Sequence, residues 1–183
     1  MFMTYGLHTP HLHEKPDLSN LKSIQWGREK EEQARKDYEC ATGSSVICCG
    51  IFISKKNPLF ASSPDGLVNE TLLEIKCPYS LKDINLTDPA ASKNVKCSFL
   101  DRNLNLRRSH LYFYQIQLGM YVTGCRKTHF VTWTTKSCLI EEIAYDQTFT
   151  GWQIERAFKA FKSHVAVEYF EHRVPRKLPP FVL

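Results

Sequence analysis

Apolar and polar residues along the chain follow two periods, and the switches between them mark the elements. From Leu18 or Ser23 to Tyr38 the sequence is rich in Glu, Lys, Gln, Ala and Arg and predicts a helix. Gly27, Glu31, Ala34 and Tyr38 recur at i, i+4, i+7 and i+11, so Glu31 shares the packed face while Glu29 and Glu32 point elsewhere. Val46 to Ser54 is β-branched and apolar and predicts a strand; Lys55-Lys56-Asn57-Pro58 makes a turn, and Leu59 to Ser62 begins a second strand. Leu72 to Cys77 predicts a third. Its period of two puts Glu74 and Lys76 on one face, roughly 7 Å apart, with Leu73, Ile75 and Cys77 on the opposite, core-facing side. His110 to Thr123 predicts a helix with Leu111, Gln115, Leu118 and Val122 on one stripe and Tyr112, Tyr114 and Tyr121 as aromatic surface. Thr128 to Thr135 and Cys138 to Tyr145 read as two strands. Trp152 to Phe170 closes the chain as a helix striped by Ile154, Phe158, Phe161 and Val165.

Helix, three strands, helix, two strands, helix is the order of an α/β domain with a central mixed sheet flanked by helices. That domain is expected over residues 23–172. A loosely ordered arm with His8, His11 and His13 precedes it over 1–22, and a basic, proline-containing tail over 173–183 follows. Tyr79 to Arg108 is long, polar and weakly patterned, which fits either a solvated loop or a basic flap over nucleic acid.

Composition narrows the partners. A net charge of +5 fits a polyanion. No apolar run approaches the twenty residues of a membrane span, and the N-terminal stretch lacks the apolar segment of a signal peptide. Seven cysteines, an odd count with Cys48 and Cys49 adjacent and no Cys-x-x-Cys, read as reduced, mostly buried thiols of an intracellular protein, nuclear or cytoplasmic.

The chemistry gathers in Ala61 to Pro78, ASSPDGLVNETLLEIKCP. Asp65 follows Pro64, which fixes φ, and precedes Gly66, which frees the backbone to turn. Singly, a turn aspartate and a Glu-x-Lys strand pair are a turn former and a solvated ion pair. Together, two carboxylates converging on one point suit a hard divalent cation, and the lysine adds positive charge where a phosphate oxyanion would develop. The combination is that of a candidate metal-dependent phosphodiesterase. No P-loop, GxGxxG or HExxH competes.

SPDG, a short gap and LEIKCP resemble the core motif of the PD-(D/E)XK nuclease superfamily, and more narrowly the YqaJ viral recombinase family, with lambda exonuclease its best-known relative. WGREKEEQARKDYE resembles that family's helix before the core strands, and YFYQIQLGMYVTG its glutamine-bearing helix. The likeness runs from about Trp26 to Tyr145, with no matching block before Trp26. It implies a restriction-endonuclease-like fold and a Mg²⁺ (or Mn²⁺) site made by Asp65, Glu74 and the carbonyl of Ile75. Glu31 would reach a second position or a water there; without the likeness, the helix glutamates read as a solvated, salt-bridged face. Gln115, by its stripe either a core amide or a site residue, would approach the metal site. Lys76, ordinarily protonated at neutral pH, would orient and stabilise charge rather than act as a strong base. Ser63, Arg107, Arg108 and Gln117 would contact nucleic acid. The implied activity is a metal-dependent DNA nuclease, an exonuclease on linear duplex DNA of recombination, repair or mobile-element type. A homo-oligomer and a single-strand annealing partner go with that reading. The alternative is a catalytically silent nucleic-acid-binding protein that kept the fold.

Overall fold

The structure, a computed structural model, describes residues 20–93, 95–172 and 176–178. The expected N-terminal arm and tail fall almost wholly outside them. The chain divides into two compact units, one spanning Leu18–Tyr145 and the other built from Asp146 onward.

Helix α1 is Lys22–Thr42, a turn longer than its stripe suggested, because the stop is Gly43. That glycine takes the left-handed conformation (φ 66°) and its N–H closes on the carbonyl of Glu39 at 2.8 Å. The apolar run after it is not the strand expected over Val46–Ser54. Only Phe52–Ile53 (β1) pairs, antiparallel with Ala61–Ser62 (β2), and Ile47 makes one isolated bridge to Leu67. Ile47 and Ile53 are exposed, so β-branched composition here marks an edge rather than a core strand.

The main sheet contains β3 (Gly66–Val68), β4 (Thr71–Lys76), β5 (Lys127–Thr134) and β6 (Ser137–Ala144), in that spatial order. β3–β4 and β5–β6 are antiparallel, whereas β4 and β5 are parallel and joined by a crossover carrying α3, Leu111–Thr123. On one face Ala34 and Tyr38 of α1 pack with Val68, Leu73, Ile75, Val131 and Trp133. Two bonds fasten the helix there: Trp133 Nε1 donates to Asp37 Oδ2 at 2.7 Å, and Tyr38 Oη pairs with His129 Nδ1 at 2.6 Å. α3 covers the other face, so closely that a side chain at Gly119 would meet Leu72 at 3.2 Å. β4 is therefore buried on both sides, Leu72, Leu73, Glu74 and Ile75 alike, and the face bearing Glu74 is not the open surface that alternation suggested.

The expected stripe of α3 is displaced. Its buried residues are Phe113, Ile116, Gln117, Gly119, Met120 and Val122, whereas Leu111 is 66% exposed. YFYQIQLGMYV is apolar on nearly every side, so hydropathy sets no phase. The stretch before α3 is pinned rather than loose: Leu81, Leu86, Phe99, Leu100 and Leu106 are buried, and Glu141 of β6 accepts from Leu106 N at 2.7 Å. It holds a 3₁₀ turn, Tyr79–Leu81, and a short helix α2, Pro89–Ser92, capped by Asp88.

In the second unit, Asp146 caps α4, Gln147–Ala160, five residues before the expected start; a π turn, Phe161–Ala166, and α5, Val167–Glu171, continue it. Thr150, Gln153 and Ser163 are its buried residues, and Ile154, Phe158, Phe161 and Val165 are half-buried. All seven cysteines are free, but Cys40 and Cys48 are exposed and the rest half-buried, which corrects the expectation of mostly buried thiols. Among the described residues no helix is long and apolar enough to cross a membrane.

Candidate active site

The site forms where β3 stops and β4 continues. β3 pairs with β4 as far as Gly66 opposite Leu73. One residue earlier the chain departs, and Asp65 takes over the pairing: its N–H donates to Leu73 O at 3.1 Å, and its Oδ2 accepts from Ile75 N at 2.6 Å. A strand residue sends its N–H and C=O to the same side. The Ile75 carbonyl therefore points to the edge that β3 vacates, beside Asp65. Gly66 is required here for a reason other than turning, since its φ is not positive. A Cβ would lie 2.4 Å from Val46 Cγ1, so only glycine lets the chains approach.

Glu74 projects toward α3 and is 4% exposed. Its Oε1 accepts from Lys76 Nζ at 2.5 Å and from Gln115 Nε2 at 2.6 Å, which leaves Oε2 without a donor among the described residues. Burial pushes the Glu74 carboxyl up to about 7 even though Lys76 opposes the rise; Asp65 and Glu31 add to it. For Lys76, burial acts to lower the ammonium, but Glu74 and Asp65 outweigh it and the group stands above its ordinary value. The ammonium form of Lys76 is therefore favoured. Its ammonium also sits 4.7 Å from the ring centroid of Tyr112, a contact the sequence reading missed. The signal was available, because Tyr112 lies three residues before Gln115 and so on the same side of α3.

Glu31 approaches from α1, on the opposite face of the sheet. Its carboxyl is raised by burial and by Asp65, against the pull of Arg35, which it pairs with at 2.9 Å. The Asp65 carboxylate thus raises both Glu31 and Glu74. The groups that could hold a cation are hard oxygens: on each of Asp65, Glu74 and Glu31 one oxygen without a donor among the described residues, and the Ile75 carbonyl. That chemistry fits Mg²⁺, which is commonly held by one or two carboxylates and otherwise by water. The carboxylates are not drawn into a closed cage; among the described residues no three acidic, His or Cys side chains stand close enough to hold an ion together.

The remaining expected contacts divide. Ser63, Arg107 and Arg108 are exposed. Arg107 Nε donates to Leu100 O at 2.6 Å, and with Lys96 and Arg102 it lines a basic hollow of about 370 Å³. Together with burial, Arg107 lowers the imidazole of His110, whose ring lies against Tyr112. Arg108 lies over the Phe113 ring at 4.8 Å. Gln117 is not a nucleic-acid contact: it is fully buried and donates to Ala144 O at 2.9 Å, a core amide.

A four-stranded mixed sheet between helices, with acidic groups and a lysine at the end of a central strand, is the restriction-endonuclease-like nuclease fold. Within it, a sequence model of the YqaJ-like viral recombinase domain matches residues 5–126, and the chain belongs to that family. The match begins well before Trp26, so the family likeness reaches into the arm where no matching block was evident. The chain is similar to LHK-Exo, an alkaline exonuclease from Laribacter hongkongensis (TM-score 0.64, 26% identity, 85% of this chain and 74% of that one). It is equally similar to the same enzyme in complex with dAMP (TM-score 0.64, 25% identity, with the same coverage). A phage-related exonuclease from Haemophilus somnus 129PT shares the fold (TM-score 0.58, 16% identity, 85% of this chain and 73% of that one). Among curated proteins none matches.

Proposed function

We propose that the chain is a metal-dependent DNA exonuclease acting on linear duplex ends. The observation that carries this reading is the arrangement on β4 where β3 ends, with Asp65 bonded to the Ile75 N–H and Glu74 gripped by Lys76 and Gln115. The family, and the deoxynucleotide bound to LHK-Exo, support DNA as the polymer. Asp65, Glu74 and the Ile75 carbonyl would hold the cation. When bound, that ion neutralises charge on the scissile phosphate and makes water a nucleophile at neutral pH. Gln115 and Lys76 grip one oxygen of Glu74, which leaves the other for the cation. Lys76 remains an ammonium and stabilises negative charge as the phosphate is attacked. Glu31, half-exposed and raised in pKa, positions the attacking water once it leaves Arg35.

The test is digestion of end-labelled linear duplex DNA with Mg²⁺ by the native chain, Asp65→Ala and Lys76→Ala. Cleavage by the native chain and its loss in both variants is the expected result, and the label released first gives the polarity. A native chain that retards DNA on a gel but releases no label is the silent binding protein instead.

A further inference from the structure

We propose a second nucleic-acid contact: Trp26, Lys30, Tyr79 and Lys82 form a platform that binds a single-stranded segment. It rests on the nuclease reading only for the identity of the polymer. Lys30 Nζ stands 5.1 Å from the Trp26 ring centroid, and Lys82 Nζ lies 5.8 Å from that ring and 5.4 Å from Tyr79. The two rings meet edge to face, centroids 5.9 Å apart and planes at 75°.

Trp26 packs against the core beside Trp133, but that packing does not account for the two lysines over its ring. Two ammonium groups drawn to one indole repel each other, and the protein does little to offset that. Lys30 has no carboxylate partner among the described residues. Lys82 meets only Asp83, at 3.2 Å in an exposed pair of the kind that contributes little. The buried Trp26 N–H finds no acceptor among the described residues, and both lysine ammonium groups lie over its ring. Tyr79 is 39% exposed although it begins a turn anchored by buried Leu81.

The cluster is also rigid and well placed. The Lys82 carbonyl accepts both the N–H and Oγ1 of Thr135 at 2.8 Å, which ties the turn to the β5–β6 connection. Lys30 immediately precedes Glu31, and Tyr79 follows Lys76 by three residues, so both sides of the platform spring from site-bearing segments. Two cations with an exposed aromatic ring suit a strand whose phosphates are reachable and whose bases are unpaired, because stacking needs a free base face. A duplex hides those faces.

The experiment measures fluorescence anisotropy of a labelled oligothymidylate in EDTA, where nothing is cut, across a salt series. The native chain is compared with Lys30→Ala/Lys82→Ala, Tyr79→Ala and Tyr79→Phe. Loss of two phosphate contacts lowers the slope of log affinity against log salt by about 1.4, from about 0.7 per contact on single strands. Tyr79→Ala weakens single-strand binding about 5- to 150-fold, the loss of one stacked base, while Tyr79→Phe stays close to native. On a blunt duplex of the same length Tyr79→Ala binds like the native chain. A native chain that does not bind the oligonucleotide, or an unchanged slope with unchanged affinity in folded variants, overturns the platform. Failure of the nuclease reading is separate: it shows as no Mg²⁺-dependent cleavage by a chain that still passes these binding tests.

Discussion

Glu74 gives the fold a pH dependence that can be calculated. In the folded chain its carboxyl stands at about 7, against 4.5 when exposed, chiefly because it is buried. Between those values the folded state holds a proton that the unfolded state has released, so stability falls as pH rises through that window. A shift of this size corresponds to about 3 kcal/mol, absent below pH 4.5 and fully developed above pH 7. Lys76 does not alter the window, since its raised value acts only near and above the ordinary lysine pKa. Glu31 and Glu141 are raised too and add slope of the same sign. Glu74→Gln isolates the one group: it keeps an oxygen to accept from Lys76 and Gln115 but cannot ionise. Urea unfolding in EDTA from pH 5 to pH 8 is the assay. The native chain is expected to lose about 2–3 kcal/mol more than the variant over that range. Mg²⁺ is expected to flatten the native slope, because a cation held by Glu74 favours its ionised form. Equal slopes in the two proteins would refute the buried-acid account, and a native slope indifferent to Mg²⁺ would remove Glu74 from the metal site.

Three further outcomes follow from single contacts. Tyr112→Leu removes the ring beneath Lys76 and is expected to lower nuclease kcat/KM about 2- to 30-fold, the worth of one cation–π contact, whereas Tyr112→Phe retains most activity. Gly66→Ala forces a Cβ into Val46 and is expected to cost about 1–3 kcal/mol in urea unfolding; adding Val46→Ala restores most of it. Gln117→Leu strips the donor from Ala144 O and is expected to cost about 1–3 kcal/mol of stability while DNA retardation by the folded protein is unchanged.

The site was more legible in the sequence than the packing that holds it. A strand's period of two is rigid, so Glu74 and Lys76 had to share a face wherever the strand lay, and they do. The glutamate of α1 was singled out by the likeness of WGREKEEQARKDYE to the family's helix; its pattern alone favoured a solvated, salt-bridged face, and Glu31 does pair with Arg35 at 2.9 Å. α3 carried no equivalent signal. With apolar residues nearly all round, Gln115 and Gln117 are equally plausible inward positions, and only the tertiary fold turns Gln115 to Glu74 and Gln117 to the Ala144 carbonyl. The run from Val46 to Ser54 failed for a related reason: β-branched residues report extended backbone, but whether a strand finds two neighbours depends on distant segments.

The position of Asp65 joins these strands of reasoning. Had β3 continued one pair further, backbone would have satisfied the Ile75 N–H, and the adjoining carbonyl would have been buried in the ladder. Because the chain breaks away at Pro64, which cannot donate a ladder hydrogen bond, the aspartate side chain replaces the missing strand on that N–H. The substitution keeps the backbone donor satisfied, as a buried sheet requires, and uses only one of the two carboxylate oxygens. The other oxygen and the freed carbonyl are then left on the edge that β3 vacates. Pro-Asp-Gly is therefore a strand terminator before it is a turn: proline ends the ladder, aspartate caps it, and glycine admits the crossing of Val46. An Asp65→Asn variant separates capping from charge, because the amide oxygen still accepts from Ile75 N while the anion is gone. It should melt within a few degrees of the native chain and yet release no label from linear duplex DNA. A variant that unfolds like Asp65→Ala would place the residue's value in the fold, and one that cuts DNA would exclude its carboxylate from the chemistry.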